Sequence, residues 1–89
     1  MTVVYSHNAE RQMQKLDTVV QQRIKRYMTK VAALEDPRSL GKALRGNLCE
    51  FWSWRIGDYR IIARIYDDIL QIEVVRVGHR RDVYTSYPQ

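Results

Sequence analysis

Arg55, Arg60 and Arg64 flank a Gly57-Asp58 dipeptide at spacings that bring all three to one face of a sheet, if the chain turns there. Glycine in the first central position suits a two-residue type II′ hairpin. Counting outward from the turn pairs Ile56 with Tyr59, Arg55 with Arg60, Trp54 with Ile61, Ser53 with Ile62 and Trp52 with Ala63. Because side chains alternate along a strand, Trp52, Trp54, Ile56, Tyr59, Ile61, Ala63 and Ile65 share one face. Phe51, Ser53, Arg55, Arg60, Ile62, Arg64 and Tyr66 share the other. A slip of one residue would bury the arginines, so the register is well specified. Like charges directly opposed across strands destabilise a sheet, and Arg55 against Arg60 calls for an anion between them. Glu73, on the next strand and the same face, neutralises one charge and leaves a surplus.

The segment Val77-Gly78-His79-Arg80-Arg81-Asp82-Val83-Tyr84 adds His, two Arg and Tyr where the last strand ends. Gly78 lets the chain leave the strand sharply, which sets these side chains at the sheet's rim. Histidine is the side chain whose unperturbed pKa lies near neutrality. Alone, a rim histidine is usually just solvated and a tyrosine near a chain end usually packs. Gathered beside an over-charged face, they point to a site for a polyanion. Arg38, Lys42 and Arg45 in the preceding loop extend the basic surface. A net charge of +5 agrees, favouring nucleic acid or an acidic protein as partner.

Other classes are excluded or disfavoured. Eighty-nine residues with 45% hydrophobic and 28% charged side chains make one globular domain over 1–89. The lone Cys49 rules out an intrachain disulfide. With only His7 and His79 beside it, a structural zinc site is not expected, nor any other metal or cofactor. No apolar run approaches the ~20 residues of a membrane span, and MTVVYSHNAE does not read as a signal peptide. A cytoplasmic protein without a membrane partner is expected.

The elements that must hold the arginine face follow from periodicity. Thr2–Ser6 reads as a short strand, with Ser6 or Asn8 capping the helix after it. Ala9, Met13 and Leu16 fall on one helical face, and Val20, Ile24, Tyr27, Val31 and Leu34 on that of a second helix. Asp36-Pro37 ends it. From Phe51 to Val77 the pattern is strand-like, with a further turn at Asp67-Asp68. The predicted fold is α+β in the order β-α-α-β-β-β, an antiparallel sheet with the two N-terminal helices packed on one face.

Leu44-Arg45-Gly46-Asn47-Leu48, Trp52, Arg55-Ile56-Gly57-Asp58-Tyr59-Arg60-Ile61-Ile62 and the segment from Val77 to Tyr84 together resemble the RelE branch of the RelE/ParE toxin superfamily. The resemblance implies a RelE-like toxin of a type II toxin–antitoxin system, a metal-independent endoribonuclease (mRNA interferase) that cuts mRNA in the ribosomal A site and inhibits translation. It implies a cognate antitoxin, and contact with operator DNA only through the antitoxin complex. Carried over by position, the catalytic residues are Arg55, Arg60, Arg80 and Tyr84, with His79 where relatives place Lys or His. Arg45, Lys42, Ser53, Arg64 and Arg81 are the expected RNA contacts. Ser53 departs from relatives that carry a second basic residue at that position, and Arg81 beside Arg80 leaves two candidates for the catalytic arginine. The implied reaction needs guanidinium groups around a phosphorane, and Tyr84 or His79 to move a proton. Two other readings are carried forward, a ParE-like inhibitor of DNA gyrase and a non-catalytic RNA-binding module.

Overall fold

In the computed structural model, described for residues 1–44 and 50–79, the period-2 half of the sequence forms one sheet, and the helical half lies across a single face of it. The elements are β1 (Thr2–Tyr5), α1 (His7–Gln14), α2 (Thr18–Ala32), a 3-10 turn at Pro37–Leu40, β2 (Lys42–Ala43), β3 (Phe51–Ile56), β4 (Tyr59–Tyr66) and β5 (Gln71–His79). The sheet order is β1-β5-β4-β3-β2. The expected α+β layering holds, with two refinements. β1 runs parallel to β5 at one edge, so the sheet is mixed rather than wholly antiparallel. At the other edge, the two-residue β2 adds a strand too short to show a period.

Local chemistry accounts for the helical layer. The Ser6 hydroxyl accepts from the Ala9 amide at 3.1 Å and so caps α1. α2 ends at Ala32, capped at Ala33, so it stops short of Leu34 and of the expected Asp36-Pro37 terminator. The Asp36 carboxylate instead accepts from the Arg38 amide to start the 3-10 turn. Ala9 and Met13 from α1 and Ile24, Met28 and Val31 from α2 reach the core, each at most 4% exposed. They meet Trp54, Ile56, Ile61, Ala63, Ile72, Val74 and Val77 from the sheet. Trp54, Ile56, Ile61 and Ala63 of that set belong to the helix-facing side assigned from the Gly57-Asp58 register.

The register itself is as counted, from Ile56 opposite Tyr59 to Trp52 opposite Ala63. Gly57 takes φ of +58°, and Asp58 does not share it, which is the type II′ pattern. At the second turn the left-handed residue is Leu70, at φ +53°, rather than either aspartate. Asp68 contributes differently, accepting from the Ile69 amide.

One irregularity decides which way the end of β5 faces. Ile62 stands opposite Arg76 but Ala63 opposite Val74, so Val75 is an extra, bulged residue. Strict alternation from Ile72 and Val74 would send Arg76 into the core. The bulge turns Val77 inward instead, leaving it 2% exposed, and sets Arg76 on the opposite face. The Val77 amide donates to Oε1 of Gln12 on α1 at 2.7 Å. Gln12→Leu leaves that amide without an acceptor and should cost about 1–3 kcal/mol. Urea denaturation reads this directly, and unchanged stability would show that the latch contributes nothing.

Candidate functional site

The face turned away from the helices is not bare. Phe51 and Ile62 are buried on it, with Leu44 and Val75 packed against them, as a small second core. Around this apolar floor stand the cations. Arg55 and Arg60 are cross-strand partners, Ser53 faces Ile62, and Phe51 faces Arg64. On β5, Gly78 stands opposite Arg60, Arg76 opposite Ile62, and Glu73 opposite Arg64. The expectation of an uncovered arginine face is corrected to this extent: the guanidinium stems rise around a dry floor, which suits side chains that bury their methylenes and present their heads.

Charge is compensated on one side of the face only. Arg64 donates to Glu50 at 2.6 Å and lies 4.7 Å from the Phe51 ring centroid, a cation–π contact. The neighbouring Tyr66 oxygen does most to hold the Arg64 guanidinium above its ordinary pKa; partial burial opposes this, and Glu50 and Glu73 add to it. Glu73 is engaged by the Tyr66 hydroxyl at 3.2 Å and makes no ion pair among the described residues, so the neutralising role considered for it is limited to its Coulombic support of Arg64. Arg55 turns its Nε to the Gly57 carbonyl at 3.3 Å. Among the described residues, Arg55, Arg60 and Arg76 have no carboxylate partner.

Among the described residues, three donors here are shielded from water yet unpaired: Nη1 of Arg60, Nε of Arg64 and Nε of Arg76. A buried donor left without an acceptor typically costs about 1–3 kcal/mol, and more when charged. Two of the three lie on residues with no carboxylate at hand. Such an arrangement is favoured by an anionic acceptor that comes from outside.

Beside it lies a cavity of about 270 Å³ lined by Leu40, Lys42, Ser53, Trp54, Arg55 and Arg60. Lys42 on β2 is the cross-strand partner of Ser53, so an ammonium stands on this face across from a small side chain. A larger cavity, about 500 Å³, lies between β1 and the helices, where Glu10 and Lys25 bring opposite charges. It holds none of the surplus arginines, and the chemistry points to the smaller one.

Arg38 does not extend the basic surface. It forms a two-pronged ion pair with Asp67, at 2.7 and 3.2 Å, approaches Asp36 at 3.5 Å, and lies 5.7 Å from the Trp52 ring centroid. The hydrogen bond to Asp67 holds its guanidinium above the ordinary range. His79 also lies elsewhere than expected. It pairs with Tyr59, and the two rings meet edge-on at 6.1 Å. Since cross-strand partners share a face, it is on the helix side, while Gly78 takes the place opposite Arg60. Arg45, Arg80, Arg81 and Tyr84 lie outside the described residues. Arg76 was not foreseen, because only the bulge brings it to this face.

Comparison with known proteins gives the arrangement a context. Residues 3–84 match a family model described as the ParE toxin of type II toxin–antitoxin systems. Toxin RelG of Mycobacterium tuberculosis is 41% identical over 49 residues, 55% of this chain. Toxin RelE of the same organism is 36% identical over 55 residues, 62% of this chain. The chain spans only 56% and 57% of the length of those two relatives. The toxin–antitoxin complex RelBE2 from Mycobacterium tuberculosis contains a chain that superposes with a TM-score of 0.81 at 32% identity, covering 89% of this chain and 96% of that one. The isolated RelE toxin of E. coli shares the fold, with a TM-score of 0.72 at 20% identity over 94% of this chain and 90% of that one.

Proposed function

We propose a toxin's activity for this chain, which belongs to the ParE toxin family of type II toxin–antitoxin systems and, within it, to the RelE branch. The proposed activity is endonucleolytic cleavage of mRNA on the ribosome, without a metal, so that translation stops. The observation that carries it is the opposed pair Arg55 and Arg60, with Nη1 of Arg60 shielded and, among the described residues, unpaired beside a cavity shared with Lys42 and Ser53.

In this reading the ribose 2′-oxygen attacks the adjacent phosphorus in line, and the bond from phosphorus to the 5′-oxygen breaks. The products are a 2′,3′-cyclic phosphate and a 5′-hydroxyl, the departing 5′-oxygen taking its proton from water. Charge builds on the non-bridging oxygens, and Arg55 and Arg60 meet it with preorganised N–H donors. Arg80 or Arg81 completes the set. Tyr84 accepts the 2′-hydroxyl proton, which requires cationic neighbours to bring a phenol of pKa ~10 within range of neutral pH. That transfer is assigned to Tyr84 rather than to His79, whose ring meets that of Tyr59. The ribosome would orient the mRNA strand, and an acidic antitoxin segment laid over the same arginines would silence the enzyme. Operator DNA would be met only through that complex.

A second reading has one specific support, the ParE name of the matching family model. It makes the chain a poison of DNA gyrase. Inducing the chain alone and mapping mRNA 5′ ends by primer extension separates the two. The expected result is growth arrest with new 5′ ends on ribosome-bound mRNA. Gyrase-dependent DNA breaks with intact mRNA, or harmless induction at good soluble yield, would overturn the proposal.

A further inference from the structure

We propose that Arg76 is a phosphate contact in its own right, binding the backbone of the RNA strand one phosphate away from the group held by Arg55 and Arg60. This rests on the reading above, in that it takes the polyanion to be RNA. Arg76 stands opposite Ile62, and on β4 the side chains flanking Ile62 on that face are Arg60 and Arg64. It is therefore a diagonal neighbour of both, within the ~7–8 Å that long side chains bridge across a sheet. That distance is also close to the spacing of successive phosphates in an extended strand. Arg60 and Arg76 can then each take one of two successive phosphates.

The rest of the local chemistry agrees. Arg64 is committed to Glu50 and the Phe51 ring, whereas Arg76 has no carboxylate partner among the described residues. Among the described residues its shielded Nε has no acceptor, which a ligand entering the face would supply. Nor does the fold place Arg76 here by default. A bulge at Val75, with the Val77 amide held by Gln12, turns the arginine out of the core and onto the cationic face. Bulges commonly re-aim a side chain next to a functional site.

The test is binding of a fluorescently labelled 2′-O-methyl RNA oligomer, which cannot be cleaved, followed by anisotropy over a salt series. Each phosphate neutralised on a single strand contributes a slope of about −0.7 in log K against log salt. Arg76→Gln should make the slope shallower by about 0.7 and weaken binding roughly tenfold at low salt. Arg76→Met keeps the aliphatic stem over Ile62 and should behave like Gln; Arg76→Lys should keep the slope. Arg11→Gln removes the same charge from an exposed position on α1 and should leave the slope unchanged. An unaltered slope in Arg76→Gln and Arg76→Met, an equal loss in Arg11→Gln, or no measurable binding by the unaltered protein would overturn the proposal. The two readings fail separately. Loss of slope in a protein that does not cut mRNA leaves Arg76 standing, and cutting with an unaltered slope removes Arg76 alone.

Discussion

Arg60→Ala should lower ribosome-dependent mRNA cleavage about 10²–10³-fold, the usual loss when one preorganised donor to a developing oxyanion is removed. Arg60 opposes Arg55 beside the hairpin turn, and its Nη1 is out of water with no acceptor among the described residues. A group in that position costs the resting fold and repays it only when charge arrives. Stability should therefore stay within about ±0.5 kcal/mol, or rise slightly as the repulsion with Arg55 is relieved. Arginine also packs through its stem, so Arg60→Met is the sharper variant: it keeps the methylenes and removes the charge. Both variants should lose cleavage to a similar degree, measured as 5′-end formation on stalled ribosomes, while thermal melting is unmoved. Retained cleavage, or a fall of many degrees in melting temperature, would make Arg60 a structural residue.

Much of this arrangement was legible in the sequence because two strong local signals agreed. Gly57-Asp58 admits few turns, and a period of two admits one way to keep Trp54, Ile56 and Ile61 from water. The helix-facing side and the Arg55–Arg60 opposition followed from those alone. What escaped had no local signature. The bulge at Val75 breaks the alternation by one residue, and nothing in Val74-Val75-Arg76-Val77 announces it; the Val77 amide beyond it is met by Gln12, 65 positions away. That single break brought Arg76 to the cationic face and carried His79 to the other side. Arg38 read as loop charge because its partner, Asp67, is 29 residues distant. β1 offered a strand pattern but no turn to name its neighbour, so its parallel pairing with β5 is a tertiary fact. Ile62 lay among arginines and read as exposed, yet Phe51, Leu44 and Val75 enclose it.

Trp54→Ala should be the most damaging substitution to the fold, because the indole joins the core to the wall of the candidate site. Its ring is 1% exposed, and Nε1 donates to the Pro37 carbonyl at 3.1 Å. Gly41 passes so close that a methyl group there would come within 2.9 Å of Nε1 and 3.0 Å of the Ser53 carbonyl. The segment that carries Leu40 and Lys42 to the cavity thus passes directly over the indole. Removing the indole costs its transfer from water and leaves a void, about 3–5 kcal/mol together. A domain of this size has only about 5–15 kcal/mol in total, so a fall in melting temperature on the order of 15–30 °C is expected. Trp54→Phe divides the effect. It retains most of the apolar contact but leaves the Pro37 carbonyl without its donor, a loss of about 1–3 kcal/mol. If Trp54→Ala melts within about 5 °C of the unaltered protein, the indole is not the joint between core and site. Lys42 would then be placed by its pairing with Ser53 alone.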